Sequence, residues 1–358
     1  MIPYYILFIV TFLFTVFDFI QSRYVRLCAY IPLCLLLVGF VGLRALGVDN
    51  DGFAYQDAFR LVGEKYSWLD LLLGNYDETM ERGYLLFNKL VYTLGGNIHV
   101  VFMVMAFLTG LLNFTLIYKY SPMPFLSVLI YLCFFYLYRD FTQIRYALSA
   151  AMGFWSICFF VDKKYWWSFA SVFFAAFIHS SVLIVPLFYL LYVFMRNYPF
   201  YLVLPVVGLI IGFFDPVMYL FALGGLPPTL AGYVEQEEFG ESGYMLSAIA
   251  EIFILGIFYY RSKLTTFYGE RTIDLFMVAL SLGSFINLMF ISFAIMQRLS
   301  SLLFTVIALV MPYLFCVIED DIRDRNLGLL IRVVFMIFVL YYGLKMIDID
   351  LVRPYAIV

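Results

Sequence analysis

The chain has 358 residues, 65% of them apolar and 13% charged, with 41 Phe, 30 Tyr and a formal net charge of −3. Its mean hydropathy is +0.95. A chain of this composition is solvated mostly by lipid, so it is a multi-spanning membrane protein, and its net charge says little about what it does. Five cysteines (Cys28, Cys34, Cys133, Cys158, Cys316) lie in or beside apolar runs without CxxC or metal-ligand spacing, and they read as packing residues.

Only helices and closed barrels span lipid, because every backbone polar group must be satisfied internally. The apolar runs are continuous and helix-length, not alternating as in a barrel strand. In chain order they predict spans at about 2–20, 27–43, 98–118, 123–138, 144–161, 165–178, 180–195, 198–214, 244–260, 273–294, 299–318 and 329–347, an all-α bundle of about ten to twelve helices. The pair 165–178 and 180–195 fits one broken helix or two short ones. The opening MIPYYILF has no basic n-region and reads as a retained first span. One integral membrane domain over 1–358 is expected.

Short basic segments follow alternate spans: Arg23 and Arg26, Lys119, Lys163 and Lys164, Arg196, Arg261 to Arg271, then Arg323 and Arg325. By the positive-inside rule these are cytoplasmic, and the first residue is outside. Two longer segments then face outward. Residues 44–97 carry aromatic and leucine clusters and predict short interfacial helices. Residues 215–243 hold Gly224, Gly225, Pro227, Pro228 and then Glu235, Glu237, Glu238 and Glu241, an external loop or lid.

The same count puts Arg44, Asp51, Glu81, Arg82, Arg139, Arg145, Arg298 and Arg353 on one membrane face, each at the edge of an apolar run. Charge there is costly and marks function. Arg139, Gln143 and Arg145 open the fifth span. A guanidinium stays charged when desolvated and grips phosphate with two parallel N–H groups, and a helix N-terminus adds its own preference for anions. Snorkelling to the interface is the plainer account of any one such arginine. Asp49-Asn50-Asp51-Gly52 is a turn signature that also resembles the D-x-D with which some membrane glycosyltransferases hold a divalent metal. Glu81, in Glu81-Arg82-Gly83-Tyr84, suits a general base or an arginine's partner. His179 stands between two short apolar runs, where it suits either interhelical packing or a cavity.

In order along the chain these residues resemble the EpsG/Wzy-type polysaccharide polymerases: Arg44 with Gly47, Asp51, Tyr55 and Phe59; Glu81, Gly83 and Tyr84; Arg139, Gln143 and Arg145; His179-Ser180-Ser181; and Arg298-Leu299. The spacing from Gly47 to Asp51 exceeds the family's Gly-x-Asp, so Asp49 also fits that place. The resemblance implies an architecture like that of GT-C glycosyltransferases, in the bacterial cytoplasmic membrane with its active site facing the periplasm or exterior. It implies an enzyme that moves a growing glycan from its undecaprenyl pyrophosphate carrier to the terminal sugar of a new lipid-linked repeat unit of O-antigen, capsule or exopolysaccharide. On that reading Arg139, Arg145 and Arg298, with Arg44 and Gln143, hold pyrophosphate and glycan, and Tyr55 contacts substrate. Asp51, Glu81 or His179 is the base. No cofactor or metal is required, since arginines supply the charge. The expected partners are undecaprenyl-pyrophosphate-linked glycan as donor and acceptor, membrane lipid and a chain-length regulator protein; no nucleic acid is expected. Rival readings are a lipid-linked oligosaccharide flippase, an O-antigen ligase or metal-dependent polyprenyl-phosphate-sugar glycosyltransferase, and a non-catalytic assembly subunit. A flippase needs polar groups through the depth of the bundle and usually repeat symmetry, whereas here the charges cluster at one face.

Overall fold

The computed structural model describes residues 1–194, 198–225, 244–322, 324–348 and 351–358. Among them every regular element is a helix, and each of the twelve predicted spans is helical in the described residues. Among the described residues nine helices are long and apolar enough to cross a membrane, or ten if Pro199–Gly212 and Pro216–Ala222, bent by 43° at their junction, count as one span. Tyr165–Ile178 and Ser180–Phe194 are shorter apolar helices, so the predicted pair around His179 is two short elements. Residues 226–243, which hold most of the predicted external lid, lie outside the described residues.

By its internal contacts the chain falls into two compact units. The first comprises Met1–Ser156, Tyr165–Leu183 and Ile318–Val358. It opens with α1 (Ile2–Phe14), which tightens into a 3-10 turn over Thr15–Phe19, and α2 (Arg23–Gly42). Three short helices follow in the predicted external segment: α3 (Gly52–Glu64), α4 (Trp68–Leu73) and α5 (Arg82–Thr93). Each shows why it forms. In α3 the buried residues Gly52, Tyr55, Ala58, Phe59, Val62 and Gly63 recur at three- and four-residue steps and make one apolar stripe. In α4 Ser67 and Asp70 close a reciprocal capping box, and Gly74 ends the helix at φ +84°. Then come α6 (Ile98–Tyr120), capped by Asn97 through the N–H groups of His99 and Val100, and α7 (Pro124–Tyr131). The helix α8 (Ile144–Val161) supplies residues 144–156, and α9 is Tyr165–Ile178.

The second unit comprises Ile157–Lys164 and Ile184–Val317. Its helices are α10 (Val185–Phe194), α11 (Tyr198–Gly212), α12 (Pro216–Ala222), α13 (Tyr244–Tyr268), α14 (Glu270–Met289), α15 (Gln297–Phe304) and most of α16 (Ile307–Asp321). The helix α14 packs against α10, α11, α13 and α15. Polar ties hold these helices where lipid offers no hydrophobic drive: Ser281 Oγ donates to the Tyr201 carbonyl at 2.6 Å, and Asn287 Nδ2 to Ser247 Oγ at 2.9 Å.

The last helix, α17 (Arg325–Lys345), returns to the first unit. Residues 351–358 then run antiparallel along residues 43–49, with bridges at Arg44 to Ile357 and Asp49 to Val352. The Ala45 N–H donates to the Ala356 carbonyl at 2.9 Å and the Arg353 N–H to the Val48 carbonyl at 2.8 Å. Tyr355 stacks on Phe40 at 4.1 Å, and its hydroxyl donates to the Phe40 carbonyl at 3.0 Å. Arg353 itself is exposed, and its Nη1 donates to the Gly47 carbonyl at 3.4 Å.

Candidate functional site

Two guanidinium–carboxylate pairs of the first unit involve the charged positions marked by the sequence. The first closes the turn after α2. Arg44 Nε lies 3.2 Å from Asp49 Oδ1 and its Nη2 donates to Oδ2 at 3.3 Å, with both side chains 0% exposed. Nη1 donates to the Val41 carbonyl at 2.7 Å, and the guanidinium carbon stands 4.2 Å from the Phe102 ring centre and 5.2 Å from that of Phe141. Gly47 carries the turn between the partners at φ +79°, where a side chain is strained. Thus both carboxylate oxygens of Asp49 face Arg44, and a cation shared with Asp51 has to displace that guanidinium. Asp51 is half-buried at the N-terminal boundary of α3. Among the described residues no group of three or more His, Cys, Asp or Glu is placed to hold a metal ion.

The second pair is built by three elements meeting. Glu81 precedes the first residue of α5, and Arg145 is the second residue of α8. They form an ion pair whose side chains keep 20% and 17% exposure. Glu81 also accepts from the Ser180 N–H at 3.0 Å and from Ser180 Oγ at 3.3 Å. Gly83 makes this meeting possible, because a Cβ there would stand 2.5 Å from the Phe177 carbonyl oxygen at the end of α9. The Arg145 guanidinium lies 5.5 Å from the Tyr84 ring and 5.8 Å from that of Tyr55, which is itself buried. His179 is 7% exposed, and its ring meets Tyr146 edge-on at 5.5 Å. Its Nδ1 accepts from the Ser181 N–H at 3.2 Å, which leaves the proton of a neutral ring on Nε2.

Arg139 departs from the sequence reading. It does not open the fifth span with Gln143 and Arg145. It sits near the end of a π-helical stretch, Leu132–Thr142, that extends α7. In that wider turn Thr142 Oγ1 reaches back five residues to the Leu137 carbonyl at 3.0 Å. Gln143 is the break, at φ −100° and ψ 64°, and α8 begins at Ile144. Arg139 is 1% exposed, 4.7 Å from the Phe135 ring and 5.5 Å from that of Tyr146. Beside it Tyr131 donates to Asp140 Oδ1 at 2.7 Å and accepts from Asn113 Nδ2 at 2.6 Å. The late start of α8 is what brings Arg145 into a first helical turn, where the helix dipole favours anions.

The first unit therefore contains Arg44, Asp51, Tyr55, Glu81, Arg139, Gln143, Arg145 and His179. It joins Glu81, Arg145 and Tyr55 directly, adds Ser180 and Tyr84, and links His179 to Arg139 through their separate contacts with Tyr146. Arg298 belongs to the second unit, half-buried as the second residue of α15. Tyr146 and the backbone pairing of residues 351–358 were not singled out in the sequence. Tyr146 sits one residue past Arg145 and carries no motif signal of its own, and the 351–358 segment pairs with residues some 300 positions away.

Fold and site together define a multi-pass membrane protein with desolvated arginines gathered where helices begin and break. The chain belongs to the EpsG family, whose pattern matches residues 25–357. No curated protein and no solved structure matches it. Membership of the family supports, broadly, a polysaccharide polymerase.

Proposed function

We propose that the protein polymerises undecaprenyl-pyrophosphate-linked oligosaccharide repeat units of O-antigen, capsule or exopolysaccharide on the outer face of the bacterial cytoplasmic membrane. The growing glycan leaves its pyrophosphate carrier and joins a hydroxyl of the terminal sugar of a new lipid-linked unit. Such a donor has a good but highly charged leaving group, so catalysis needs cationic stabilisation of that group and a base near the acceptor hydroxyl. The observation that carries the reading is the Glu81–Arg145 pair, held at the start of α8, partly open, with Ser180 and His179 beside it. Arg145 is assigned to pyrophosphate from its partly open pairing, whereas Arg139 and Gln143, both buried, and Arg298 are assigned to it on the strength of the family resemblance alone. Arg44, sealed against Asp49, is assigned to holding the loop that presents Asp51 and Tyr55. The base is Asp51, Glu81 or His179; a carboxylate in that role leaves an acidic limb on the rate profile, because protonation at low pH removes it. A chain-length regulator protein is the proposed protein partner.

Gel analysis of surface polysaccharide from a deletion strain tests this reading. A product of single repeat units is the expected result. Loss of all surface product favours a flippase or ligase instead. Impermeant labelling of cysteines placed at Gly240 and Ser262 tests the orientation: labelling from opposite sides is expected, and labelling of both from outside overturns it.

A further inference from the structure

One face of α5 carries a polar stripe that runs away from the ion pair. Glu81, Tyr84 and Asn88 are spaced three and four residues apart, so they stack along one side of the helix. Glu81 is partly open, Tyr84 is 1% exposed and Asn88 is 0% exposed. The stripe enters an apolar cluster that includes Tyr55, Phe59, Phe102, Met105 and Ile144. There the Tyr84 hydroxyl and both polar atoms of the Asn88 amide are buried without a hydrogen-bond partner. The two side chains are near enough for the Asn88 amide to ease charge on the phenol, yet their contact falls outside hydrogen-bond geometry. Burial and the nearby Tyr55 hydroxyl hold the Tyr84 phenol well above its ordinary range, so it keeps its proton and offers a donor and an acceptor.

Leaving such groups unpaired is costly, and folded proteins rarely do so without a reason in function or a bound group. An amide that both donates and accepts, beside a hydroxyl that does the same, matches another hydroxyl. The Arg145 guanidinium over the Tyr84 ring and Glu81 at the outer end of the stripe place this pair directly inside the candidate site.

We propose that Tyr84 and Asn88 form an inner seat for a single hydroxyl group, that of the acceptor sugar or of a water ordered beside it, which fixes the acceptor relative to Glu81 and Arg145. This rests on the polymerase reading for its activity measurement and is independent of it for stability. The seat selects by hydrogen bonding, because an acceptor lacking that hydroxyl leaves three buried polar atoms unpaired.

The test uses purified full-length protein with Asn88→Leu and Tyr84→Phe, each close in shape to the native side chain. Removing an unpaired buried group in favour of an apolar one is neutral or stabilising. The expected result is an unfolding midpoint equal to or above wild type, with polymerisation of lipid-linked repeat units lowered about tenfold or more. A raised KM for the acceptor assigns the hydroxyl to the sugar, and a lower kcat alone assigns it to water. Wild-type activity in both variants overturns the seat, and so does a lowered midpoint in both, which would show that the groups already have partners in the fold. If wild-type protein polymerises nothing, the polymerase reading fails on its own; the midpoints still decide whether the groups are unpaired, a rise supporting the seat and a fall overturning it.

Discussion

The two arginine–carboxylate pairs use the same chemistry in opposite settings. Arg44 and Asp49 are wholly sealed, five residues apart, with two aromatic rings around the guanidinium. Arg145 and Glu81 are 64 residues apart, partly open, and drawn from different helices. A sealed pair has given up all its hydration for its partner, so neither charge is available to a ligand. An open pair keeps its partner while one side of the guanidinium can still meet an incoming anion. Exposure, more than residue type, separates the anchor from the working group, and each can be broken separately.

The largest effect is expected at the anchor. Arg44→Ala leaves Asp49 as an uncompensated buried charge, and breaking a buried pair in this way costs about 3–5 kcal/mol. Thermal unfolding in detergent should show a large loss of stability, with activity lost only as folded protein is lost. A variant that stays as stable as wild type while activity disappears would instead place Arg44 on substrate.

At the open pair the pattern should invert. Arg145→Lys keeps the charge but loses the planar fork. A charge-assisted contact is worth about 1.5–3 kcal/mol, or roughly 10- to 150-fold in rate if it forms only in the transition state. Chain-length gels and initial rates should fall by that factor while the unfolding midpoint holds. Arg298→Lys should behave like Arg145→Lys. Near wild-type chain lengths in both would remove the pyrophosphate assignment.

Ser180→Ala sharpens the comparison at a smaller scale. Glu81 keeps Arg145 and the Ser180 N–H but loses the Ser180 hydroxyl. A loss of about 0.5–1.5 kcal/mol is expected, visible as a modest fall in kcat/KM. A larger fall would make the hydroxyl itself part of the chemistry.

The smallest effect is expected from chelation. Arginines supply the positive charge, and Asp49 is already occupied by Arg44, so EDTA should leave the rate of purified enzyme unchanged. Inhibition by EDTA with recovery in Mg²⁺ or Mn²⁺ would revive the D-x-D reading of Asp49 and Asp51.

What the sequence disclosed follows from what is local. The spans were legible because lipid demands long apolar runs, and α3, α4 and α5 because stripes, caps and clusters lie within a few residues of each other. Glu81, Arg145 and His179 were legible as charge or imidazole at the edges of apolar runs. The π-helical stretch was hidden, because Leu132–Thr142 has the composition of any aromatic span and the widened turn leaves no mark in residue type. The sealing of Arg44 was hidden because it depends on Phe102, Phe141 and residues 351–358, all far away in the chain. Asn88 was hidden because one amide in a short amphipathic helix is unremarkable until its burial is known.

The pairing of residues 351–358 also sets an order of events. A chain is made from its N-terminus, and elements made early can settle before later ones exist. The turn that carries Arg44 and Asp49 is made some 300 residues before its backbone partners at Val352, Arg353, Ala356 and Ile357. Closing so long a loop is also entropically slow. The turn can therefore close against these partners only after every helix between them has been made. A chain released before residue 351 would carry every helix described here and still lack the backbone partners of the turn that holds Arg44 and Asp49.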